Sequence, residues 1–236
     1  MTFWGDPGPY VSDAHKRDMR IVSQCGSVEE AVSAADAGVD AVIIQGTQAG
    51  GHVKANRPLE ETLASCVREL SSIPVIAAGG IATGKQIAEA LDAGAAAVSM
   101  GTRFLATQEA NAVDAYKDRI VGARASDTVL TELFDVGWPS AAHRVIRNDA
   151  YRAWESAGRP GPGERPEEGS VIGQANIGER ALDLPKYTVM PPVGNVEADL
   201  EELPLYAGES CEWIDDVPPA RDVMDTLIAD AREAMR

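Results

Sequence analysis

A short segment of the sequence occurs twice, in a form that constrains the fold more than any other feature. Residues 34–42 (AADAGVDAV) resemble residues 90–98 (ALDAGAAAV). In each copy an alanine-rich helix stops at a glycine, Gly38 or Gly94, and the chain then enters an apolar strand. The repeat predicts successive βα units of the kind that a (β/α) barrel contains.

Strand and helix signals alternate over the first hundred residues. Two capping pairs, Ser27 with Glu30 and Thr83 with Gln86, predict where two of the helices begin. We predict four short apolar strands, at residues 20–24, 41–45, 74–78 and 97–100. Apolar strands that alternate with helices over short loops indicate an α/β fold with a parallel sheet. A closed barrel and an open, doubly wound sheet give the same alternation, so the pattern leaves both architectures open.

The pattern changes beyond residue 122. We therefore predict an α/β part at residues 1–122 and a mostly helical C-terminal extension at residues 123–236. Within the extension, residues 141–154 have a helical pattern, and the Pro/Gly-rich stretch at residues 158–169 predicts an exposed loop. An apolar stripe predicts a final amphipathic helix, and it consists of Val223, Leu227, Ala231 and Met235.

The charge balance argues against two classes of partner. The 236 residues include 21 Lys and Arg against 37 Asp and Glu, a formal net charge of −16. Such a chain repels phosphate backbones and anionic bilayers, so we expect neither nucleic-acid nor membrane binding. No apolar run approaches the roughly 18 residues that span a bilayer. Cys25, Cys66 and Cys211 are widely spaced without metal-type pairing, which predicts no metal site and a reducing, cytoplasmic location.

Three glycine-containing loops follow predicted strands, on the side where parallel α/β folds place their sites. Gly79-Gly80 and Gly101-Thr102 suit a phosphate, because glycine lets the backbone approach closely and each following helix directs its positive end there. Gly50-Gly51-His52 would admit a flat ligand beside a side chain that exchanges protons near neutral pH. Taken alone, a single histidine after a glycine pair is more often structural than catalytic, and we assign His15 and His143 no catalytic role.

Three motifs in this order resemble the nitronate monooxygenases, formerly called 2-nitropropane dioxygenases. They are residues 41–52 (AVIIQGTQAGGH), 73–81 (IPVIAAGGI) and 99–105 (SMGTRFL). Residues 127–131, 147–148 and 205–208 resemble the C-terminal signatures of the same family. The family is an FMN-dependent TIM-barrel family. The resemblance implies that this chain is the second half of a (β/α)8 barrel, about four βα units with parallel strands, plus a C-terminal helical appendage, and that residues 3–7 are the exit of the fourth strand.

The resemblance also implies a site and a reaction. His52 matches the general base that takes the proton α to the nitro group of a neutral nitroalkane. FMN would then accept an electron from the nitronate, and O₂ would yield a carbonyl compound and nitrite. Many relatives have Gln where this chain has Ser99. The implied FMN-binding residues are Gln45, Gly50, Gly51, Gly79, Gly80, Ser99, Met100, Gly101 and Thr102.

Two other functions remain open from the sequence. The flavin-dependent enoyl-[acyl-carrier-protein] reductases share the GGH, AAGGI and MGTRFL motifs, and they would require NAD(P)H as reductant. A catalytically incomplete half-barrel that binds a phosphate ligand or a partner is the third hypothesis. A complementary N-terminal half or a second copy of the chain is the partner that an incomplete barrel implies.

Overall fold

The computed structural model describes residues 1–236, which group into two units. The first unit contains residues 1–49, 53–101 and 221–236, and the second contains residues 50–52 and 102–220. The strands, numbered along the chain, are β1 (Thr2–Phe3), β2 (Val22–Cys25), β3 (Ala41–Gln45), β4 (Gly51–His52), β5 (Val75–Ala78), β6 (Ala97–Ser99), β7 (Thr128–Thr131), β8 (His143–Ile146), β9 (Val171–Ile177), β10 (Arg180–Pro185), β11 (Val196–Ala198) and β12 (Leu205–Tyr206). The α-helices are α1 (Gly8–Lys16), α2 (Val28–Asp36), α3 (Leu59–Glu69), α4 (Gly84–Asp92), α5 (Thr102–Leu105), α6 (Asp114–Val121), α7 (Asp149–Ser156) and α8 (Ala220–Ala234).

A five-stranded parallel sheet forms the centre of the first unit, with strand order β1-β2-β3-β5-β6. All four predicted strands are present in it, and Thr2–Phe3 adds a fifth at one edge. Val42 and Ile44 of β3 are fully buried, and they belong to a core that includes Ala31 of α2 and Cys66 of α3. The predicted α/β class with a parallel sheet is confirmed.

The two capping predictions hold to different degrees. Thr83 and Gln86 form the full reciprocal box at the start of α4. Ser27 accepts a hydrogen bond from the Glu30 backbone N–H at the start of α2, but the Glu30 carboxylate accepts from the Gly26 N–H instead of returning to Ser27. Both helices begin where the sequence predicts, because each cap supplies an acceptor for an unpaired N–H of the first turn.

Six strands lie within residues 123–236 and all of them pair antiparallel, so the prediction of a mostly helical C-terminal extension is wrong. Strands β12, β8 and β4 form one sheet in that order, with β7 also paired to β8, and β10, β9 and β11 form another. The helical pattern at residues 141–154 contains strand β8 before α7 begins at Asp149. These strands lack long apolar runs, since β9 exposes polar residues such as Gln174 and Asn176, and their pairing depends on distant neighbours.

The C-terminal helix belongs to the first unit, and the boundary lies after Gly101 rather than after residue 122. Three predicted stripe residues of α8 are buried (Val223, Leu227 and Ala231), whereas Met235 is 47% exposed. A Cβ at Gly84 would lie 2.4 Å from the Asp230 Cβ, so α8 and α4 pack closely. No helix in the chain is long and apolar enough to cross a membrane.

Candidate active site

His52 lies on the short strand β4, which pairs with β8 in an antiparallel register. His52 stands opposite His143, and Gly51 stands opposite Arg144. Directly opposite residues of an antiparallel pair point to the same face. The register therefore places the two imidazoles on one face of the second unit's sheet.

Aromatic rings surround His52. The indole of Trp138 is stacked on the imidazole, with ring centroids 4.2 Å apart and planes inclined by 32°. The rings of His143 and Tyr206 each lie 5.6 Å from the His52 ring, centroid to centroid. His52 is half-buried, and this burial lowers its pKa below the ordinary value of 6.5. The imidazole is therefore neutral near pH 7, the state in which it can accept a proton.

His143 is a structural residue. It is fully buried, its Nε2 accepts a hydrogen bond from the Phe134 backbone N–H at 3.2 Å, and its Nδ1 lies 2.8 Å from the Ala141 carbonyl oxygen. An accepting Nε2 requires the proton on Nδ1, which then donates to Ala141. Burial lowers the pKa of His143 to about 4, so it stays neutral beside His52. The sequence assigned His143 no catalytic role, and both of its ring nitrogens have backbone partners.

Sequence reasoning missed the roles of Trp138 and Tyr206. Tyr206 donates its phenol hydrogen to the Val189 carbonyl at 3.0 Å, and burial raises the pKa of this phenol, so the group stays neutral. Trp138 follows Gly137, which has a left-handed φ of +108°, in the connection between β7 and β8. Tyr206 lies within the family-like signature at residues 205–208, whereas the one signal that could have found Trp138 is its position in the sequence Gly137-Trp138-Pro139.

Two predicted cofactor residues of the second unit meet at Gly208. A Cβ on Gly50 would lie 2.3 Å from the Gly208 backbone nitrogen and 2.5 Å from the Ala207 carbonyl carbon. The Thr102 hydroxyl oxygen accepts a hydrogen bond from the Gly208 N–H at 2.9 Å. Both residues therefore have a structural task in placing residues 207–208, although the Thr102 hydroxyl keeps its hydrogen for another acceptor.

In the first unit, the loops that follow β3 and β5 lie against each other. Gly79 has φ +108°, and a Cβ there would lie 3.1 Å from both Ala49 N and Gly46 O. Gly80 has φ +76°, and its Cβ would lie 3.1 Å from the Gln48 Cβ. Any other residue would strain the backbone at these positions and crowd the neighbouring loop.

Two glutamine side chains hold these loops in place. The Gln45 amide oxygen accepts from the Lys54 N–H at 3.0 Å and ties down the far end of the loop after β3. The Gln86 oxygen accepts from the N–H groups of Ala82 and Thr83, at 2.9 and 3.1 Å, and its nitrogen donates to the Gly80 carbonyl at 3.2 Å. Gln86 therefore connects the glycine loop to the N-terminus of α4.

The third predicted segment follows β6 at the edge of the same sheet. Ser99 and Gly101 are exposed, and a Cβ on Gly101 would have no atom within 4 Å. The first unit therefore provides two glycine loops after neighbouring strands, with the N-terminus of α4 behind one of them. This arrangement fits a phosphate group, because the glycines leave room for close approach and the helix end favours negative charge.

The structure divides the ten predicted site residues between the units. His52, Gly50, Gly51 and Thr102 belong to the second unit. The first unit holds Gln45, Gly79, Gly80, Ser99, Met100 and Gly101.

The chain is similar in sequence to one known family and to several curated proteins, and similar in structure to solved proteins. A family model described as nitronate monooxygenase matches residues 2–230. A Rhodococcus jostii protein named (3aS,4S,5R,7aS)-5-hydroxy-7a-methyl-1-oxo-octahydro-1H-indene-4-carboxyl-CoA dehydrogenase is 30% identical over 240 residues, which cover 89% of this chain and 64% of that protein. A Staphylococcus aureus protein named a probable nitronate monooxygenase is 36% identical over 132 residues, which cover 52% of this chain and 37% of that protein.

Among solved structures, FabK from Thermotoga maritima superposes with a TM-score of 0.80 at 30% identity. The match covers 98% of this chain and 67% of FabK. The chain thus spans less than two thirds of the length of the two curated relatives.

Proposed function

Because this chain belongs to the nitronate monooxygenase family, whose members are flavin-dependent oxidoreductases, we propose that it acts as an FMN-dependent nitronate monooxygenase. The reaction would oxidise alkyl nitronates and nitroalkanes with O₂ to carbonyl compounds and nitrite. One observation carries the proposal: His52 is a half-buried, neutral imidazole within an aromatic enclosure. A neutral base in an apolar setting suits proton abstraction from a carbon acid.

His52 performs the proton transfer that a neutral nitroalkane requires. The substrate's α-carbon loses its proton to a ring nitrogen of His52, and the electron pair moves into the nitro group to give the nitronate. Trp138 and Tyr206 exclude water from the faces of the imidazole that they cover, and they hold its orientation. A substrate supplied as the nitronate needs no such step.

The glycine loops would hold the cofactor. When bound, FMN supplies the electron acceptor and, once reduced, the reaction with O₂. In the first unit, Gly79 and Gly80 would bind the phosphate through backbone N–H groups, with Ser99, Met100 and Gly101 as the second loop. The remaining contacts are proposed for Gln45, Gly50, Gly51 and Thr102.

We place the sheet of the first unit within a (β/α)8 barrel. All its strands are parallel, and its edge strands β1 and β6 each have one neighbour. Ala97 and Ser99 of β6 are exposed. Parallel sheets normally have both faces covered and occur in closed or doubly wound folds, so these edges suit further parallel strands from a complementary segment or chain.

We also place the protein in the cytoplasm. Cys25, Cys66 and Cys211 are free and buried, which suits a reducing compartment.

The deciding experiment compares two substrates in the FMN-loaded protein. Wild-type protein should release nitrite from both nitroethane and preformed ethyl nitronate under O₂. His52→Gln should lose about 10²-fold or more of kcat/KM with nitroethane, the ordinary contribution of a general base, and only a few-fold with the nitronate. Absence of nitrite from the nitronate with flavin-loaded wild-type protein would overturn the proposal.

A second candidate reaction is the flavin-dependent reduction of an enoyl thioester by NAD(P)H. The relative that matches 89% of this chain is named as a dehydrogenase of a CoA thioester, which favours a thioester substrate. Anaerobic mixing of the FMN-loaded protein with NADPH or NADH separates the two functions. Rapid loss of the oxidised-flavin absorbance with NAD(P)H alone favours the reductase, and its absence together with nitrite release favours the monooxygenase.

A further inference from the structure

The Pro/Gly-rich loop at residues 158–169 contains a buried cation that the proposed reaction does not use. The loop is mostly exposed, as the sequence predicts, but the Arg165 side chain is only 4% exposed. Its Nη1 donates to the Leu133 carbonyl at 2.9 Å and to Asp135 Oδ1 at 2.6 Å. Its Nη2 pairs with the Glu168 carboxylate.

The surroundings of Arg165 form a built network. The guanidinium carbon lies 4.6 Å from the Tyr187 ring centroid, a cation–π distance, and the Tyr187 hydroxyl donates to the Pro166 carbonyl at 2.8 Å. Glu168 also accepts from the backbone N–H groups of Gly163 and Arg165. A buried charge is stable only when paired and hydrogen-bonded, so this network anchors the loop in one geometry.

The segment that Arg165 holds, residues 133–138, reaches the candidate base by two routes, one through His143 and one through Trp138 directly. The Phe134 N–H donates to His143, whose ring lies 5.6 Å from that of His52. The Trp138 N–H donates to the Asp135 carbonyl at 2.9 Å, and its indole is stacked on His52. Asp135 therefore accepts a hydrogen bond from Arg165 on its carboxylate and one from the Trp138 N–H on its backbone carbonyl.

We infer that Arg165 is a positioning residue for His52. Arg165 acts through residues 133–138, the segment that holds Trp138 over the imidazole. The inference rests on the proposed function only in giving His52 the role of base. Without Arg165, the Asp135 carboxylate and the Leu133 carbonyl lose the donor that they share. Residues 133–138 are then less firmly held, and Trp138 no longer keeps its position over the imidazole. Water then reaches the face of His52 that Trp138 now covers.

Water at that face makes the charged imidazole less unfavourable, so the His52 titration midpoint moves up. The titratable groups that face His52 are His143 from β8 and Tyr206 from β12, and both are neutral near pH 7. Asp135 interacts electrostatically with His143. Because Arg165→Met also removes the positive charge beside Asp135, the His52 midpoint responds to both charge and solvation, and the contact between His52 and Trp138 separates the two.

The test uses the full chain and three variants: Arg165→Met, Arg165→Lys, and Arg180→Met as a control at an exposed arginine of the β9–β10 hairpin. NMR follows the His52 ring proton against pH and the through-space contact between His52 and Trp138. We expect Arg165→Met to move the midpoint toward 6.5, the ordinary value, and to weaken the Trp138 contact. Arg165→Lys should restore part of both, and Arg180→Met should change neither.

A folded Arg165→Met protein with an intact Trp138 contact would overturn the inference, whatever its His52 midpoint. If that variant does not fold, Asp135→Asn decides the same question, because it removes the charge on residues 133–138 that Arg165 pairs with while keeping an amide oxygen as acceptor. It should weaken the Trp138 contact, and an intact contact would overturn the inference. These readouts need neither substrate nor flavin. Failure of nitrite release with the wild-type protein would therefore count against the proposed function alone.

Discussion

The imidazole of His52 and the indole of Trp138 are stacked with centroids 4.2 Å apart. Burial is the cause of the lowered His52 pKa. The apolar Trp138 ring thus controls the proton affinity of the candidate base. Because desolvation sets the His52 pKa, this pKa should respond to packing more than to ionic strength.

Truncation of Trp138 should raise the His52 pKa. Trp138→Ala exposes one face of the imidazole, so the midpoint should move up toward 6.5, whereas Trp138→Phe should keep most of the shift because it retains an aromatic face. NMR titration of the His52 ring proton measures both. Trp213→Ala is the matched control, since Trp213 is 59% exposed. An unchanged midpoint in Trp138→Ala would show that the indole does not control the base.

Stability should fall on mild acidification because of His143. Burial lowers the pKa of His143 to about 4, from 6.5 in an exposed histidine. Between these values the unfolded chain binds a proton that the folded chain does not, so the free energy of unfolding falls as pH decreases from 6.5 to 4. The loss from this group is about 3 kcal/mol, at 1.36 kcal/mol for each pH unit. Urea unfolding at several pH values measures it.

The control for this prediction is His143→Gln, which cannot titrate. The difference in unfolding free energy between wild type and His143→Gln should shrink as pH decreases through this range. A difference that stays constant with pH would contradict the assignment.

Gly50 and Gly51 should differ sharply in their tolerance of a methyl group. A Cβ on Gly50 would lie 2.3 Å from the Gly208 nitrogen, which belongs to the backbone and cannot rotate away. Gly50→Ala should therefore cost about 3 kcal/mol of stability. Gly51 has φ +71° but open space around its Cβ position, so Gly51→Ala should cost only about 1 kcal/mol. Chemical unfolding of the two variants provides the comparison, and equal costs would refute the packing argument.

Gln86→Ala should weaken both the first unit and its binding of FMN. The variant removes the acceptor for the Ala82 and Thr83 N–H groups and the donor to the Gly80 carbonyl. Loss of a capping box costs about 1 kcal/mol, and a loosened glycine loop should raise the Kd for FMN severalfold. Unfolding curves and flavin-fluorescence titration measure the two effects. Lys85→Ala is the control, because Lys85 is exposed in the same helical turn. An unchanged FMN affinity in Gln86→Ala would show that the cap does not contribute to FMN binding.

The parallel sheet could be predicted because its signals are local. The helix end at Gly38 recurs at Gly94, and the Thr83–Gln86 box lies within a single turn of helix. The antiparallel strands could not be predicted in the same way. Strand β8 pairs with β4, β7 and β12, which lie in separate parts of the chain, and its four residues have no period that distinguishes them from a helix.

The candidate site shows the same difference between local sequence signals and contacts of distant residues. Glycine loops at strand ends are visible in the sequence, because the need for glycine is a property of single residues and their φ angles. The enclosure of His52 is not visible there, since Trp138, His143 and Tyr206 approach it only through the sheet.

The family resemblance of residues 41–52 identified His52 as the candidate base. The sequence by itself determined the α/β class and the positions of the glycine loops. These follow from backbone conformation, helix capping and hydrophobic period, which depend on neighbours within a few residues. Only the tertiary structure decided that His52 is desolvated by Trp138 and that a buried Arg165 holds the segment presenting it. Desolvation and the pairing of buried charges both require residues to lie close together in the fold. Residues distant in the chain come that close only after the strands have paired.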